Sequence, residues 1–156
     1  MALAMGRVYV DSIPGHSDVK WRVGEMASRI KDGLEEALNR VPWLIGQSKK
    51  NAIDKIRKAH PNLAYTEKIL SDDYLYKVYS KLQLAEGDDY LVAELKVARH
   101  FANVNLASVG RPVDKSSNGS PQESNAWFNQ FYNSFTIPMT ILQASLNFFL
   151  VYVFKC

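Results

Sequence analysis

Cysteine is all but missing from this chain. The single one, Cys156, is the last of 156 residues. No disulfide can therefore form within the chain, and no Cys/Cys pair is available to a metal. A terminal thiol with no neighbouring histidine and no C-a-a-X arrangement reads as incidental. Histidine is scarce as well: His16, His60 and His100 lie far apart in sequence. None belongs to an H-E-x-x-H, the spacing that sets two imidazoles on one helical face around zinc, so they read as surface or helix-end residues. The G-x-S-x-G elbow, the G-x-x-x-x-G-K-[ST] phosphate loop and any Cys/His nucleophile pair are missing too.

Long apolar runs and segregated charge are also lacking. MALAMGRVYV at the N-terminus is interrupted by Arg7 too soon for a signal peptide. Ala144 to Phe154 is strongly apolar, yet shorter than the ~20 residues that a bilayer requires of a helix. Membrane is thus an unfavoured partner. The 19 basic and 16 acidic residues, for a net charge of +3, are intermingled along the chain, which argues against nucleic acid. The densest basic stretch, Lys49, Lys50, Lys55, Arg57 and Lys58, reads as the wet face of a helix whose apolar side carries Ala52, Ile53 and Ile56.

What is present is helical periodicity. Val19, Val23, Met26, Ile30, Leu34, Ala37, Leu38 and Val41 follow a 3.6-residue repeat, with Ser17 or Asp18 as cap and Pro42 as terminator. A second helix is predicted from about Ile45–Ser48 to Lys58 or Ala59, stopped by Pro61. Ser71, followed by Asp72 and Asp73, offers a cap and first-turn acids to a third. A fourth runs from Asp88 or Asp89 to about Val109, with apolar residues on two sides that predict burial on more than one face. Adjacent carboxylates on a helix diverge, so Asp72/Asp73 and Asp88/Asp89 read as caps, not as a catalytic pair.

After these helices the character changes. Gly110 to Glu123, GRPVDKSSNGSPQE, has the composition of a linker. Ser124–Phe128 and Ser134–Ile137 then read as two short strands around the polar turn Asn129–Asn133. Such a hairpin has two open readings: aromatic packing in a core, or a free edge that binds an extended peptide through main-chain hydrogen bonds. The fold class that follows is mainly α, about four amphipathic helices and then a short β-hairpin-like segment and an apolar C-terminal tail.

The hairpin segment resembles the substrate-binding strand of the neprilysin and endothelin-converting-enzyme family of zinc metallopeptidases. That family's pattern is V-N-A-[YF]-Y, a polar turn, then I-x-[IF]-P-A-G-I-L-Q. The residues that carry the likeness are Asn125, Ala126, Trp127 and Phe128, then Asn133, Phe135, Thr136, Ile137, Pro138, Ile141, Leu142 and Gln143. Flanking stretches agree in order. Gly110 to Gln122 is similar to G-[KR]-P-V-D-[RK]-x-x-W-x-M-[ST]-P, with one residue fewer or a shifted gap. Val41 to Tyr65 resembles a family stretch that ends in [IV]-G-Y, and MALAMGRVYV is similar to L-P-x-A-x-G-[RK]-x-Y-V. The likeness reaches to Gln143.

The resemblance implies a partial domain of a larger α-rich peptidase fold: residues 1–109 from the helical N-terminal part, 110–123 a linker, 124–143 the substrate-binding strand segment and 144–156 a divergent apolar tail. In the intact family Asn and Ala of N-A-x-x bind the peptide backbone, the Asn by its side-chain amide and the Ala by its main-chain carbonyl. Those roles fall on Asn125 and Ala126. Zinc and the catalytic glutamate come from residues that have no counterpart here, so the expectation is no catalytic residue, no metal ligand, no cofactor and no cleavage by this chain alone. The remainder of the peptidase domain is an implied partner, and the family's setting is extracellular. A non-catalytic peptide- or protein-binding decoy or regulatory form is the alternative.

The departures carry expectations of their own. Asn118 stands where the family has Trp and, with Gly119 and Ser120, forms an N-x-S sequon for possible N-glycosylation. Met139 and Thr140 replace Ala-Gly after Pro138, which predicts disturbance of a tight backbone turn. The chain reads ASLNFFLVYVFKC where the family continues into Pro-Pro-Phe-Phe, as a truncated or alternatively spliced transcript would. Phe148 to Phe154 is apolar, β-prone and uncharged, the composition of an aggregation-prone segment.

Overall fold

The computed structural model describes residues 2–115 and 119–143, so Asn118 and the tail 144–156 lie outside the described residues. Five α-helices accompany a small sheet whose first strand falls between the third helix and the fourth: α1 (Ala2–Asp11), α2 (His16–Arg40), α3 (Gly46–Arg57), α4 (Asp72–Tyr79) and α5 (Tyr90–Ala107). The strands are β1 (His60–Ala64), β2 (Trp127–Asn129) and β3 (Ser134–Pro138), and two 3-10 turns cover Glu67–Leu70 and Met139–Leu142. The mainly α fold with a terminal hairpin agrees with the sequence reading. None of the described helices is long and apolar enough to cross a membrane.

Three of the predicted helices end where local chemistry puts them. Val41, ahead of Pro42, takes ψ 114 and closes α2. The Ser71 hydroxyl accepts from the Tyr74 N–H at 3.3 Å, and the Asp89 carboxylate accepts from the Val92 N–H at 2.8 Å. The start of α2 differs from expectation. Its cap is Gly15, in a left-handed conformation with φ 71, and Ser17 and Asp18 already lie inside the helix. Asp18 instead pairs with Arg22 one turn on.

The sheet has the order β1-β3-β2, with β1 parallel and β2 antiparallel to β3. Pro61 therefore does more than stop α3: it sits within β1, an edge strand, where a residue without an N–H is tolerated. Register places Pro61 and Leu63 beside Phe135 and Ile137, with Phe128 beyond Phe135, all on one face of the pleat. Ser134, Thr136 and Pro138 occupy the other face and are buried.

The buried cluster joins α1, α2, the end of β1 and both 3-10 turns through Val10, Val23, Ala64, Tyr65, Ile69, Met139 and Leu142. Ala64, where the resembled family has Gly, adopts φ 60, and the Tyr65 N–H reaches back to the Leu63 carbonyl at 2.7 Å. This is a three-residue turn of the strained hand for a residue with a Cβ. The burial expected of α5 is not found. Its one buried residue is His100, while Leu91, Leu95 and Leu106 are exposed.

Candidate functional site

Among the described residues β2 has one neighbour in the sheet, β3, and none of them pairs with the main chain along its other edge. Asn125 and Ala126 lead directly into this edge, and both are exposed. By the register of β2 on β3, position 125 falls opposite Pro138, which has no N–H to donate, and the ladder stops at Trp127. The segment 125–128 is thereby open on its outer side and fixed on its inner side from Trp127 onward.

Two devices hold the edge in place. At the hairpin turn the Asn129 side-chain oxygen accepts from the N–H groups of Phe131 and Tyr132 at 3.0 and 3.3 Å. Asn133 takes φ 47, a conformation that asparagine tolerates better than most residues. Its amide donates to the Lys55 carbonyl at 2.8 Å and its own carbonyl accepts from the His60 N–H at 2.8 Å, which ties the turn to the end of α3 and to β1. The polar turn read from the sequence is thus a fastening.

The second device is the segment read as a linker. Gly119, at φ 89, lies so close to Trp127 that a Cβ built there would stand 2.5 Å from the indole ring. Pro121 is buried against Gly6 of α1, where a Cβ would come within 2.9 Å of the proline ring. The Pro121 carbonyl accepts from both the N–H and the hydroxyl of Thr140, at 3.0 and 3.1 Å. With its one hydrogen given to Pro121, the Thr140 hydroxyl accepts from the Tyr9 hydroxyl at 3.0 Å. Met139 and Thr140, which replace the family's Ala-Gly, open the 3-10 turn after Pro138. Met139 is fully buried, and the Thr140 hydroxyl fastens the 3-10 turn to the 119–121 loop.

On the other face of the sheet an open apolar groove of about 540 Å³ runs between α2, α3 and the hairpin. Its walls include Met26, Ile30 and Leu34 of α2, Ile56 of α3, and Phe128 and Phe135 of the hairpin. Phe128, one residue inside the edge segment, is 53% exposed there.

The histidines are held separately. His16 Nδ1 meets the Tyr65 hydroxyl at 2.7 Å, His100 Nε2 donates to the Val78 carbonyl at 2.8 Å, and His60 begins β1. Among the described residues no group of three or more His, Cys, Asp and Glu side chains could hold a metal ion. The described residues thus offer no donor set that fits the zinc used by the resembled family. Burial, helped by the nearby Glu67 charge, pushes the Tyr65 phenol up, and Lys20 sits 4.4 Å above its ring. That cluster braces α2 against the turn after β1.

No protein-family model matches the chain. It is nonetheless 25% identical over 144 residues to Neprilysin-1 of Trittame loki, an alignment that covers 91% of this chain and 20% of that protein. The structure of PepO from Lactobacillus rhamnosis superposes with a TM-score of 0.78 at 25% identity, over 92% of this chain and 22% of the other. The zinc metalloprotease ZMP1 of Mycobacterium tuberculosis, solved with an inhibitor, gives a TM-score of 0.68 at 26% identity, over 89% and 20%. The chain spans about a fifth of the length of the curated relatives it matches. Likeness in sequence and in fold along nearly its whole described length makes this chain a member of the neprilysin family, matching one segment of those longer proteins.

Proposed function

We propose that the segment Asn125–Phe128 is a docking edge for an extended peptide backbone, the substrate-binding half of a neprilysin-type peptidase cleft. The observation that carries this reading is the free outer edge of β2, with Asn125 and Ala126 exposed at its start. A peptide added there gains main-chain hydrogen bonds from groups that already lie in strand geometry, so little ordering opposes binding. Asn125 contributes a side-chain amide and Ala126 a main-chain carbonyl. The fastenings at Asn133 and Gly119 keep the edge rigid, as a binding strand requires.

In this reading the chain binds and does not cleave. Peptide hydrolysis in relatives named as metalloproteases depends on a metal, and neither an H-E-x-x-H nor another suitable donor set exists among the described residues of this chain. The edge also supports the alternative of a non-catalytic peptide-binding form, because its exposure does not depend on a metal.

The test is a titration of the full chain with an extended peptide that carries a bulky apolar residue, followed by the amide resonances of residues 125–129. Perturbation confined to that strand, weakened in Asn125→Ala, is the expected result. Chelator-sensitive hydrolysis of the peptide by the purified chain, or perturbation elsewhere with the strand unmoved, overturns it.

A further inference from the structure

α2 is the longest of the described helices, and one of its faces is bare. Met26, Ile30, Gly33, Leu34 and Ala37 share that face at helical spacing and are all exposed, Met26 by 61%, Ile30 by 57% and Leu34 by 50%. Contiguous apolar surface of this kind marks a site that something covers. Gly33 lies within the helix, where glycine is disfavoured, and a Cβ built there meets nothing within 4 Å. No contact inside the described chain calls for a glycine at this position, whereas a second backbone drawn close to it would. We infer that two copies of this chain pair through α2, antiparallel about a two-fold axis that passes beside Gly33.

Charge on the same helix singles out a second copy as the occupant. Arg22 and Arg40 pair with Asp18 and Glu36 within α2, whereas Glu25 and Arg29 form no ion pair with any described residue. Turned antiparallel about a point between Asp32 and Gly33, one helix sets its Arg29 opposite Glu36 of the second copy and its Glu25 opposite Arg40 of the second copy. Each contact then occurs twice, as two-fold symmetry demands. The Glu36–Arg40 pair of one chain thereby faces Glu25 and Arg29 of the other, a ring of four charges that alternate in sign. Such a network contributes where isolated surface pairs contribute little. A parallel pairing in register would instead set Arg29 against Arg29 and Glu36 against Glu36, which like charge opposes. Alongside the charges, the Met26–Ile30–Leu34 ridge of each helix packs against the other helix, and the small Gly33 and Ala37 let the two axes approach. The apolar area removed from water supplies the attraction, and the charges fix direction and register.

Sedimentation of the full chain under reducing conditions, which keep Cys156 from linking chains, should show a monomer–dimer equilibrium at micromolar concentration. Gly33→Leu favours the helix but fills the space where the backbones meet, so it should weaken the dimer at least tenfold while the dilute monomer stays fully folded. Arg29→Glu and Glu36→Arg, each alone, should also weaken self-association at least tenfold, because like charges then face each other. Mixed in equal amounts, these two variants should form a dimer with one chain of each. A native chain that stays monomeric throughout overturns the proposal. So does a dimer indifferent to Gly33→Leu, which would place the contact on another surface, and so does a mixture of the two charge variants that stays unpaired. Circular dichroism identifies any variant that fails to fold. The charge mixture decides if Gly33→Leu is the one, and Arg40→Glu mixed with Glu25→Arg, which tests the second contact in the same way, replaces a failed charge pair.

Discussion

The sheet with its surrounding turns and the helix α5 are held in opposite ways. Around the sheet, Val10, Ile69 and Met139 are wholly buried, and the loops that meet there are cross-tied by Thr140 and Asn133. α5 is longer than any of those pieces, yet Leu91, Leu95 and Leu106 are 66%, 61% and 70% exposed. It is held by its cap, by the Lys96–Asp88 ion pair and by His100, which stacks on Tyr79 while it bonds the Val78 carbonyl. Apolar periodicity thus states what a helix is able to bury. Whether it does so depends on what the fold brings against it.

The largest effect should come from a cut into the tied region. Met139→Ala leaves a cavity beneath both 3-10 turns and should cost about 2–5 kcal/mol. Leu95→Ala should change stability by about 0.5 kcal/mol or less. Urea unfolding followed by tryptophan emission measures both. Equal losses would break the contrast, because they would mean that α5 is packed as tightly as the sheet.

Helix positions were legible in the sequence because their signals are local: Pro42 restricts Val41, and Ser71 and Asp89 satisfy N–H groups three residues on. The hairpin was legible for the same reason, through its polar turn. β1 was not, because its partner β3 is more than seventy residues away and Pro61 signals a helix stop more loudly than a strand. The N-terminal helix α1 escaped notice because its ten residues show one apolar stretch too short to establish a period. Asn125 and Ala126 were found through a motif alone. That β2 is an edge follows only from the β1-β3-β2 order, which no single segment encodes. The apolar sides of α5 misled because their periodicity is real and their covering is not supplied by the described residues.

Two glycine-related changes sharpen the contrast at intermediate size. Gly119→Ala drives a Cβ into the Trp127 ring at a backbone φ of 89 and should cost about 1–3 kcal/mol. Since Trp21 and Trp43 are exposed and Trp127 is half-buried, the same change should shift the emission maximum to the red as the indole is displaced. An unchanged spectrum with unchanged stability would mean that the 119–121 loop does not hold the edge. Ala64→Gly works in the other direction. It relieves φ 60 in the tight turn after β1 and should stabilise the chain by about 1 kcal/mol, visible as a higher urea midpoint. A fall in the midpoint would mean that the lost Cβ contacts in the core outweigh the relieved backbone.

The smallest expected effect lies at the start of α5 and depends on pH. The Ala85 N–H and then the Lys96 ammonium hold the Asp88 carboxyl below its ordinary value. A carboxyl with a lower pKa folded than unfolded contributes stability above the unfolded value, and that contribution is lost as pH falls through the folded one. The window therefore lies on the acid side of the usual carboxylate range, and neutral pH is unaffected. Asp88→Asn should weaken α5 slightly at pH 7, with faster exchange of its first-turn amides relative to the sheet. The difference from wild type should shrink as pH falls through the lowered folded value of Asp88 and vanish once that carboxyl is protonated and both side chains are neutral. Glu35, lowered by its bond to Arg57, titrates in the same direction between α2 and α3, so the sheet serves as the internal reference. A gap that persisted in acid would locate the effect in shape or in the Ala85 hydrogen bond and not in charge. The attachment of α5 would then rest on neutral contacts, chiefly His100 against Tyr79 and the Val78 carbonyl, and not on the Lys96–Asp88 pair.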